Sequence, residues 1–226
     1  MNVFITVPQV TLPNGHVEPS FQVGQFVCSK GEDGKAAITA EGTPWSRINY
    51  AAAKAACKAI GGELITELQW LAIAHDVATN PANWTGGKVG EGDLFQGLRN
   101  DTVNSAQPGT YISPDETEQR WLTLSNGERI CDLNGNIYQW VHDNVQGEEN
   151  GIIARDFAED SPSITTPQFP SEENGMGNYD TWDWSGDALI RGGFWYSGSR
   201  AGVFRLRGDW PEVGHDDVGF RCTKSL

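Results

Sequence analysis

RGGFWYSGSRAGVFRLR occupies residues 191–207, and VGFRC closes the same C-terminal segment at residues 218–222. One set of residues in this segment supplies backbone freedom, small packing contacts or large apolar anchors, which are the properties of a rigid scaffold. We predict that the scaffold set comprises Arg191, Gly192, Gly193, Trp195, Gly198, Ala201, Gly202, Val203, Phe204, Leu206, Pro211, Val218, Gly219, Phe220, Arg221 and Cys222.

The remaining positions of the segment mix aromatic, cationic, anionic and small polar side chains at neighbouring places, as the binding surface of an antibody does. We predict that these positions bind a ligand, and they are Phe194, Tyr196, Ser197, Ser199, Arg200, Arg205, Arg207, Gly208, Asp209, Val213, His215, Asp216 and Asp217. Aromatic and arginine side chains dominate the energy of protein interfaces. The expected hot spots are therefore Phe194, Tyr196, Arg200, Arg205 and Arg207.

Two helices are predicted upstream of this segment. Between residues 46 and 61 apolar side chains recur at helical spacing, and two glycines at 61–62 provide a stop. Thr66 followed by Gln69 fits a capping box, so a second helix is expected at about residues 67–77. Its inward-facing side chains are expected to be Trp70, Leu71 and Ala74.

The rest of the N-terminal part consists of short elements and coil. Residues 4–39 predict one or two strands with turns at 13–15 and 31–34, because apolar alternations are cut by Pro and Gly. NGNIYQW at residues 134–140 places an Asn-Gly turn before an alternating run, which predicts a hairpin leading into the core sheet. Residues 80–125 predict irregular coil held by the aromatic anchors Trp84, Phe95, Tyr111 and Trp121.

Residues 142–190 form a long acidic stretch rich in Pro, Ser and Gly, with Trp182 and Trp184 near its end. Stretches of this length without regular structure are usually functional or insertional. We interpret it as an insertion within one domain that spans residues 1–226, whose core begins at about residue 20.

These motifs resemble the C-type-lectin fold of the formylglycine-generating-enzyme and sulfatase-modifying-factor subclass. The resemblance lies in the RGG-x-W opening, the AG-x-F middle and the GFRC end of the C-terminal segment. NGNIYQW resembles the N-V-W-E-W signature of that subclass, and ACKAIGGELITELQW at residues 56–70 resembles its helix, turn and second helix. The resemblance implies an α+β fold with two helices packed on small antiparallel sheets and much irregular loop.

Within that subclass the sequence of these motifs is similar to that of variable proteins of diversity-generating retroelements, which occur in phages, bacteria, archaea and archaeal viruses. In those systems a reverse transcriptase rewrites adenines at the end of the gene. The resemblance implies a display or receptor-binding protein with a hypervariable face, on a virion or cell surface, for example for host attachment. Its partner is then a protein or glycan on a target surface.

The genetic code agrees with this implication. Asn codons altered at their first two bases reach every residue type in the ligand-binding set, but they do not reach Trp or Glu. Trp210 and Glu212 are therefore expected to be fixed positions within the variable segment.

A catalytic member of the same subclass is the alternative. The resemblance implies that its oxidases need a cysteine pair in the region of residues 194–204, where this chain has none. The related ergothioneine-type oxygenases need a histidine-rich iron site, and His16, His75, His142 and His215 show no such spacing. We therefore predict a protein that is not an enzyme and has no cofactor.

Calcium binding and a disulfide are further features that the resemblance brings up. The calcium site of the subclass uses the acidic residue of N-V-W-E-W, and Gln139 stands there, so a site on Asn136 and Gln139 lacks its charge and we predict no metal ligands. Cys57 and Cys222 lie where lectin-fold domains often carry a bridge. The residues leave open whether these two cysteines are bonded or, like Cys28 and Cys131, buried thiols.

The formal net charge of −14 argues against nucleic acid and anionic membranes as partners, because the field of the molecule repels phosphate. The chain has no run of eighteen apolar residues and no basic flank before an apolar stretch at its start. We therefore expect neither membrane insertion nor a signal peptide, and display on a virion or cell surface needs another route.

Overall fold

The computed structural model describes residues 2–164, 172–179 and 184–226. Trp182, near the end of the acidic stretch, lies outside the described residues. The described ranges hold two α-helices and fourteen short strands, the mixed α+β composition that the sequence predicts. Neither helix in these ranges has the length and apolarity needed to cross a membrane.

The second predicted helix is confirmed. Helix α1 covers Tyr50–Ala59 and helix α2 covers Glu67–Ala78. The capping box of α2 is present, since Thr66 Oγ1 accepts from the Gln69 N–H at 3.2 Å and Gln69 Oε1 accepts from the Thr66 N–H at 3.1 Å. The inward-facing side chains of α2 are fully buried as predicted, namely Trp70, Leu71 and Ala74.

The prediction that the first helix begins at residue 46 is wrong, because the residues before Tyr50 bond to distant parts of the chain. The N–H of Trp45 donates to the Cys28 carbonyl and that of Arg47 donates to the His215 carbonyl, both at 2.8 Å. Asn49 then caps the helix by accepting from the Ala52 N–H at 2.9 Å. These tertiary hydrogen bonds outweigh the local helical pattern.

Two four-stranded sheets form the centre of the fold. The first contains β1 (Phe4–Val7), β4 (Phe21–Gly24), β7 (Glu63–Leu64) and β14 (Cys222–Ser225) in the order β1-β4-β14-β7. The second contains β10 (Tyr138–Val141), β11 (Ala188–Gly192), β12 (Gly202–Asp209) and β13 (Val218–Phe220) in the order β12-β11-β10-β13. The C-terminal segment thus supplies strands to both sheets.

The remaining strands form three two-stranded pairs. These are β2 (Val10–Thr11) with β3 (Val17–Glu18), β5 (Ser29–Lys30) with β6 (Ala36–Ala37), and β8 (Trp121–Thr123) with β9 (Arg129–Cys131). The expectation of one or two strands before residue 40 is wrong, since Pro and Gly divide this part into six short ones, but both predicted turns are confirmed. Much of residues 80–125 is irregular as predicted, with Trp84 buried and Phe95 and Tyr111 half-buried. The prediction of coil is wrong for Pro81–Asn83, which form a 3-10 turn, and for Trp121, which lies in strand β8.

The predicted hairpin at residues 134–140 is wrong, although the strand itself is present as β10. The turn joins β9 to β10, which do not pair; β10 lies between β11, which is antiparallel, and β13, which is parallel. The turn is held instead by the coil before it. Asn134 Oδ1 accepts from the Gly97 N–H at 2.7 Å, and Asn134 Nδ2 donates to the Phe95 carbonyl at 3.0 Å.

The second sheet is covered on both faces. Alternate side chains of β10 and β11 join two different hydrophobic clusters, one packed against α2 around Trp70 and the other against α1 around Tyr50 and Trp140. Every residue of β10, β11 and β13 is buried as a result. The C-terminal segment therefore starts and ends in the interior.

Candidate ligand-binding surface

Arg191 fixes the start of the C-terminal segment inside the protein. Its guanidinium is fully buried and forms a two-pronged ion pair with Glu67 at the first position of α2. Two further donors reach the carbonyls of Phe204 and Ser163 at 2.9 Å. A buried guanidinium needs a counter-charge and hydrogen-bond acceptors such as these, because leaving it unpaired in the core costs several kcal/mol.

Arg221 fixes the end of the segment in a similar way, using neutral acceptors. Its donors reach Gln139 Oε1 at 2.8 Å and the carbonyls of Gly24, Cys131 and Asp132 at 2.6 to 3.0 Å. Burial lowers the pKa of Arg221 to about 10, opposed by the charge of Asp132, so the group stays positive at neutral pH.

A disulfide reinforces the same end. The structure bonds Cys57 of α1 to Cys222 of β14, with their Cα atoms 5.4 Å apart, which decides the pairing that the residues left open. Cys28 and Cys131 are buried free thiols, as expected. Burial raises the pKa of both thiols, that of Cys28 to about 12, so neither is reactive at neutral pH.

Between these anchors, most of the thirteen predicted ligand-binding residues reach the surface. Tyr196 is 61% exposed and Val213 is 38% exposed. The complete exposed or half-exposed group is Phe194, Tyr196, Ser199, Arg200, Arg207, Asp209, Val213, His215, Asp216 and Asp217. Trp210 and Glu212, which the codon argument sets apart as fixed, are exposed in the same loop.

The other three of the thirteen predicted ligand-binding residues, Ser197, Arg205 and Gly208, are buried. Ser197 Oγ accepts from the Phe194 N–H at 2.9 Å and so closes the turn that presents Tyr196. A Cβ at Gly208 would lie 2.6 Å from the ring of Trp184, so any larger side chain displaces that ring.

Arg205 is buried because two polar groups enclose its guanidinium. Its Nε donates to the Tyr138 hydroxyl at 3.1 Å, and its Nη1 donates to the side chain of Asn178. The ring of Tyr138 in turn stacks on Phe194, with centroids 5.5 Å apart and planes at 25°. Arg205, predicted as a contact hot spot, is therefore part of the support of the surface.

Tyr138 joins the two loops that carry the exposed residues. Besides stacking on Phe194 of residues 194–200, it donates its backbone N–H to the Asp217 carbonyl of residues 209–217 at 2.9 Å. Sequence reasoning placed Tyr138 in a strand but gave it no role in the site. Alternation along β10 was a signal for its burial, but the partner loops lie too far away in sequence to be inferred.

The loop at residues 194–200 rests on the coil before β8. The Arg99 carbonyl accepts from the Gly198 N–H at 2.8 Å, and the Asp101 N–H donates to the Trp195 carbonyl at 2.9 Å. Glu118 holds that coil by accepting from the Arg99 and Asn100 N–H groups at 2.6 and 2.7 Å. Burial acts to raise the pKa of Glu118, but hydrogen bonds from Ser113 and the two amides outweigh it and lower the pKa.

The loop at residues 209–217 lies across the start of α1. The Pro211 carbonyl accepts from the Tyr50 N–H at 3.1 Å. A cleft of about 390 Å³ lies beside this contact, and Pro211, Lys54 and Ile152 are among its lining residues. His215 Nε2 lies 3.5 Å from Asp209 Oδ1, and burial raises the pKa of Asp217 nearby. This loop therefore presents an acidic, partly apolar surface.

The residues that the resemblance connects with calcium do not fit that ion. Gln139 Oε1 accepts from the Arg221 guanidinium, and Asn136 Oδ1 accepts from the Gln107 N–H at 2.8 Å. A cation at this place would meet a buried positive charge and oxygens already in use. Across the described ranges, no three His, Cys, Asp or Glu side chains converge in a way that could hold a metal ion.

The family model described as the sulfatase-modifying factor enzyme 1-like domain matches residues 14–226. No curated protein matches the chain in sequence.

Among solved structures, PvdO from Pseudomonas aeruginosa has a TM-score of 0.55 at 13% identity, covering 99% of this chain and 94% of its own. CarF has a TM-score of 0.51 at 11% identity, covering 100% of this chain and 99% of its own. The Major Tropism Determinant U1 variant has a TM-score of 0.52 at 11% identity, covering 96% of this chain but only 52% of its own.

At such identities these structures establish the fold alone, and they confirm the predicted C-type-lectin type. The resemblance found in the RGG-x-W, AG-x-F and GFRC motifs agrees with a family model that covers nearly the whole sequence. The chain belongs to the family of sulfatase-modifying factor enzyme 1-like domains.

Proposed function

We propose that this chain is a ligand-binding protein, not a catalyst, which recognises a protein or glycan on a target surface through residues 194–217. The observation that carries the proposal is the division of this stretch. Exposed side chains of mixed chemistry stand on a backbone fixed at one end by Arg191 and at the other by Arg221 and Cys222.

This division suits a surface whose side chains change. Substitutions at exposed positions usually alter stability by less than about 0.5 kcal/mol, whereas core substitutions cost several times more. Exposed positions such as Tyr196, Ser199 and Arg200 can therefore vary without loss of the fold. Binding surfaces on loops held by a rigid scaffold are common for the same reason.

We propose further that a diversity-generating retroelement produces this variation, and that the protein is displayed on a virion or cell surface for host attachment. Three observations support this: the motif resemblance to variable proteins, the agreement with altered Asn codons, and a fold shared with a protein named for determining tropism. The chain corresponds to about half the length of that protein, so the display context is carried over as a proposal.

We assign the whole chain, residues 1–226, to one domain with the acidic stretch 142–190 as an insertion. The contacts expected to dominate binding are those of Tyr196, Arg200, Arg207 and the half-exposed Phe194. Nucleic acid is not the partner, because the net charge of −14 repels it.

Sequencing the last hundred or so bases of the gene across its natural population, together with any nearby near-copy, tests the proposal. We expect substitutions at the exposed positions and at adenines of the near-copy, with Arg191, Arg221 and Cys222 unchanged. An invariant segment would remove the proposal of diversification.

The alternative is a catalytic member of the family, and the enzyme in the family description favours it. Incubating the purified chain with a cysteine-containing peptide and following the peptide mass tests this alternative directly. We expect no conversion, because residues 194–204 contain no thiol. Conversion that survives removal of Cys28 and Cys131 would establish an enzymatic role.

A further inference from the structure

The segment Glu172 to Tyr179, from the acidic stretch, lies along the outer edge of β12. The Phe204 N–H donates to the Met176 carbonyl at 3.0 Å and the Leu206 N–H donates to the Asn178 carbonyl at 3.1 Å. Tyr179 forms a parallel bridge with Leu206. Because β12 is the edge strand of its sheet, this segment supplies the hydrogen-bond partners that the edge lacks.

Two glycines allow the close approach of the segment to β12. A Cβ at Gly202 would lie 2.1 Å from the backbone N of Gly177, a distance that no side chain tolerates. Gly177 has a φ of +79°, and a Cβ there would lie 2.9 Å from the backbone N of Arg205. The two backbones therefore touch directly beside Arg205.

Polar side chains connect the same segment to the loop at residues 194–200. Glu172 accepts from the Ser199 hydroxyl at 3.1 Å and from Asn178 Nδ2 at 2.7 Å. Arg205 then joins Asn178 to Tyr138, on which Phe194 stacks. One guanidinium thus connects the added edge segment with the aromatic part of the candidate surface.

We propose that Arg205 is a positioning residue that sets the shape of the recognition surface without touching the ligand. It holds the segment Glu172 to Tyr179 against β12 and keeps Tyr138 under Phe194. The inference rests on the proposed function in one respect, namely that this surface is the one that binds. A different residue at position 205 then changes recognition indirectly, by releasing or moving two neighbouring parts of the surface.

Residue-resolved hydrogen exchange on the ligand-free protein tests this role. In Arg205→Ala we expect the Phe204 and Leu206 amides to exchange at least tenfold faster, since both donate to the segment that Arg205 holds. Amides of β10 and β4 should keep their wild-type rates, which a general loss of stability would not allow. Arg205→Lys should give an intermediate rate, because an ammonium cannot span Tyr138 and Asn178 as the guanidinium does.

Arg207→Ala is the matched control, since it removes an exposed arginine from the same strand and should leave both amides unchanged. Gly177→Ala offers a second route, because it forces the segment away while Arg205 remains, and it should accelerate the same two amides. If Arg205→Ala does not fold, the Lys variant decides. Wild-type exchange at Phe204 and Leu206 in the folded Arg205 variants would overturn the proposal.

The measurement needs no ligand, so it is independent of the sequencing experiment. Accelerated exchange together with an invariant gene segment would leave Arg205 as a holder of the edge segment and reject the proposed diversification. Unchanged exchange together with a variable gene segment would reject the positioning role alone.

Discussion

Arg191 and Arg221 both place a positive charge in the fully buried interior, and they offset the cost of burying it in different ways. Arg191 pairs with the carboxylate of Glu67, so one opposite charge offsets most of the cost of burying its guanidinium. Arg221 uses carbonyls and an amide oxygen, which share the work among several acceptors. Removing a single partner should therefore lower the free energy of unfolding more at Arg191 than at Arg221.

The variant Glu67→Gln tests the first arginine. It keeps the shape of the side chain but leaves the Arg191 guanidinium without its counter-charge, and we expect the free energy of unfolding to fall by about 3 to 5 kcal/mol. Urea denaturation followed by tryptophan fluorescence measures this change. Asp216→Asn, which breaks an exposed pair with Arg47, is the control and should cost less than about 1 kcal/mol. Equal losses in the two variants would contradict the argument.

His75 makes stability depend on pH. Burial, with a smaller effect from positive Arg191, lowers its pKa to about 4, whereas in the unfolded chain it is about 6.5. Between these values the unfolded state takes up a proton that the folded state refuses, so stability falls as pH falls through this window. The expected loss from His75 is about 2 kcal/mol between pH 7 and pH 5.

Urea denaturation of the wild type and of His75→Gln over that pH range measures this dependence. Other titrating groups act in both proteins, so the difference between the two profiles isolates His75. Parallel profiles would show that the pKa of His75 is the same in the folded and unfolded states, which would contradict the lowered pKa.

At the scale of elements, local signals predicted what local interactions build. Helix α2 was predictable because Thr66 and Gln69 cap it and its apolar side chains recur at helical spacing. The start of α1 was not, because Arg47 bonds to His215, which is 168 positions away in the chain. The parallel pairing of β10 with β13 joins Tyr138 to Val218, and no pattern around residue 138 specifies such a partner.

The disulfide between α1 and β14 should contribute strongly to stability, because it closes a loop with a sequence separation of 165. In the chain-entropy account such a loop is worth about 5 kcal/mol, so Cys57→Ser should lower the free energy of unfolding by about that amount. Cys131→Ser is the control variant, because it removes a buried cysteine but keeps the bond.

Thiol titration of the wild type should find no reactive thiol in the native oxidised protein and two in denaturant. Four reactive thiols in the denatured wild type would exclude the bond.

At the scale of the whole molecule, chemistry alone separated most of the surface from the scaffold. Mixed side-chain types identified the exposed positions between the buried ends. They did not reveal that Ser197, Arg205 and Gly208 are buried. A serine that closes a turn, an arginine bonded to Tyr138 and Asn178 and a glycine packed under an indole look like surface residues in sequence. Asn178, which bonds to Arg205, and Trp184, which packs on Gly208, come from the acidic stretch, and no sequence motif indicates how that stretch packs.

This separation predicts how the whole protein tolerates diversity. A variant with Tyr196, Ser199, Arg200, Arg207 and Val213 all changed to other residues reached by altered Asn codons should lose no more than about 2 kcal/mol of unfolding free energy. A matched variant changed at Ser197, Arg205 and Gly208 should lose clearly more, because each change empties or overfills a packed site. Similar losses in urea denaturation would contradict the partition.

The two internal attachments of residues 194–217 also make the chain a candidate affinity reagent. Because Arg191 and the Cys57–Cys222 bond hold the stretch from both sides, a synthetic library can be grafted between them while the framework stays constant. Its selected binders would share one purification and one refolding protocol. The bond ties usable formats to oxidising conditions, so periplasmic or surface display suits such a library better than expression in a reducing cytosol.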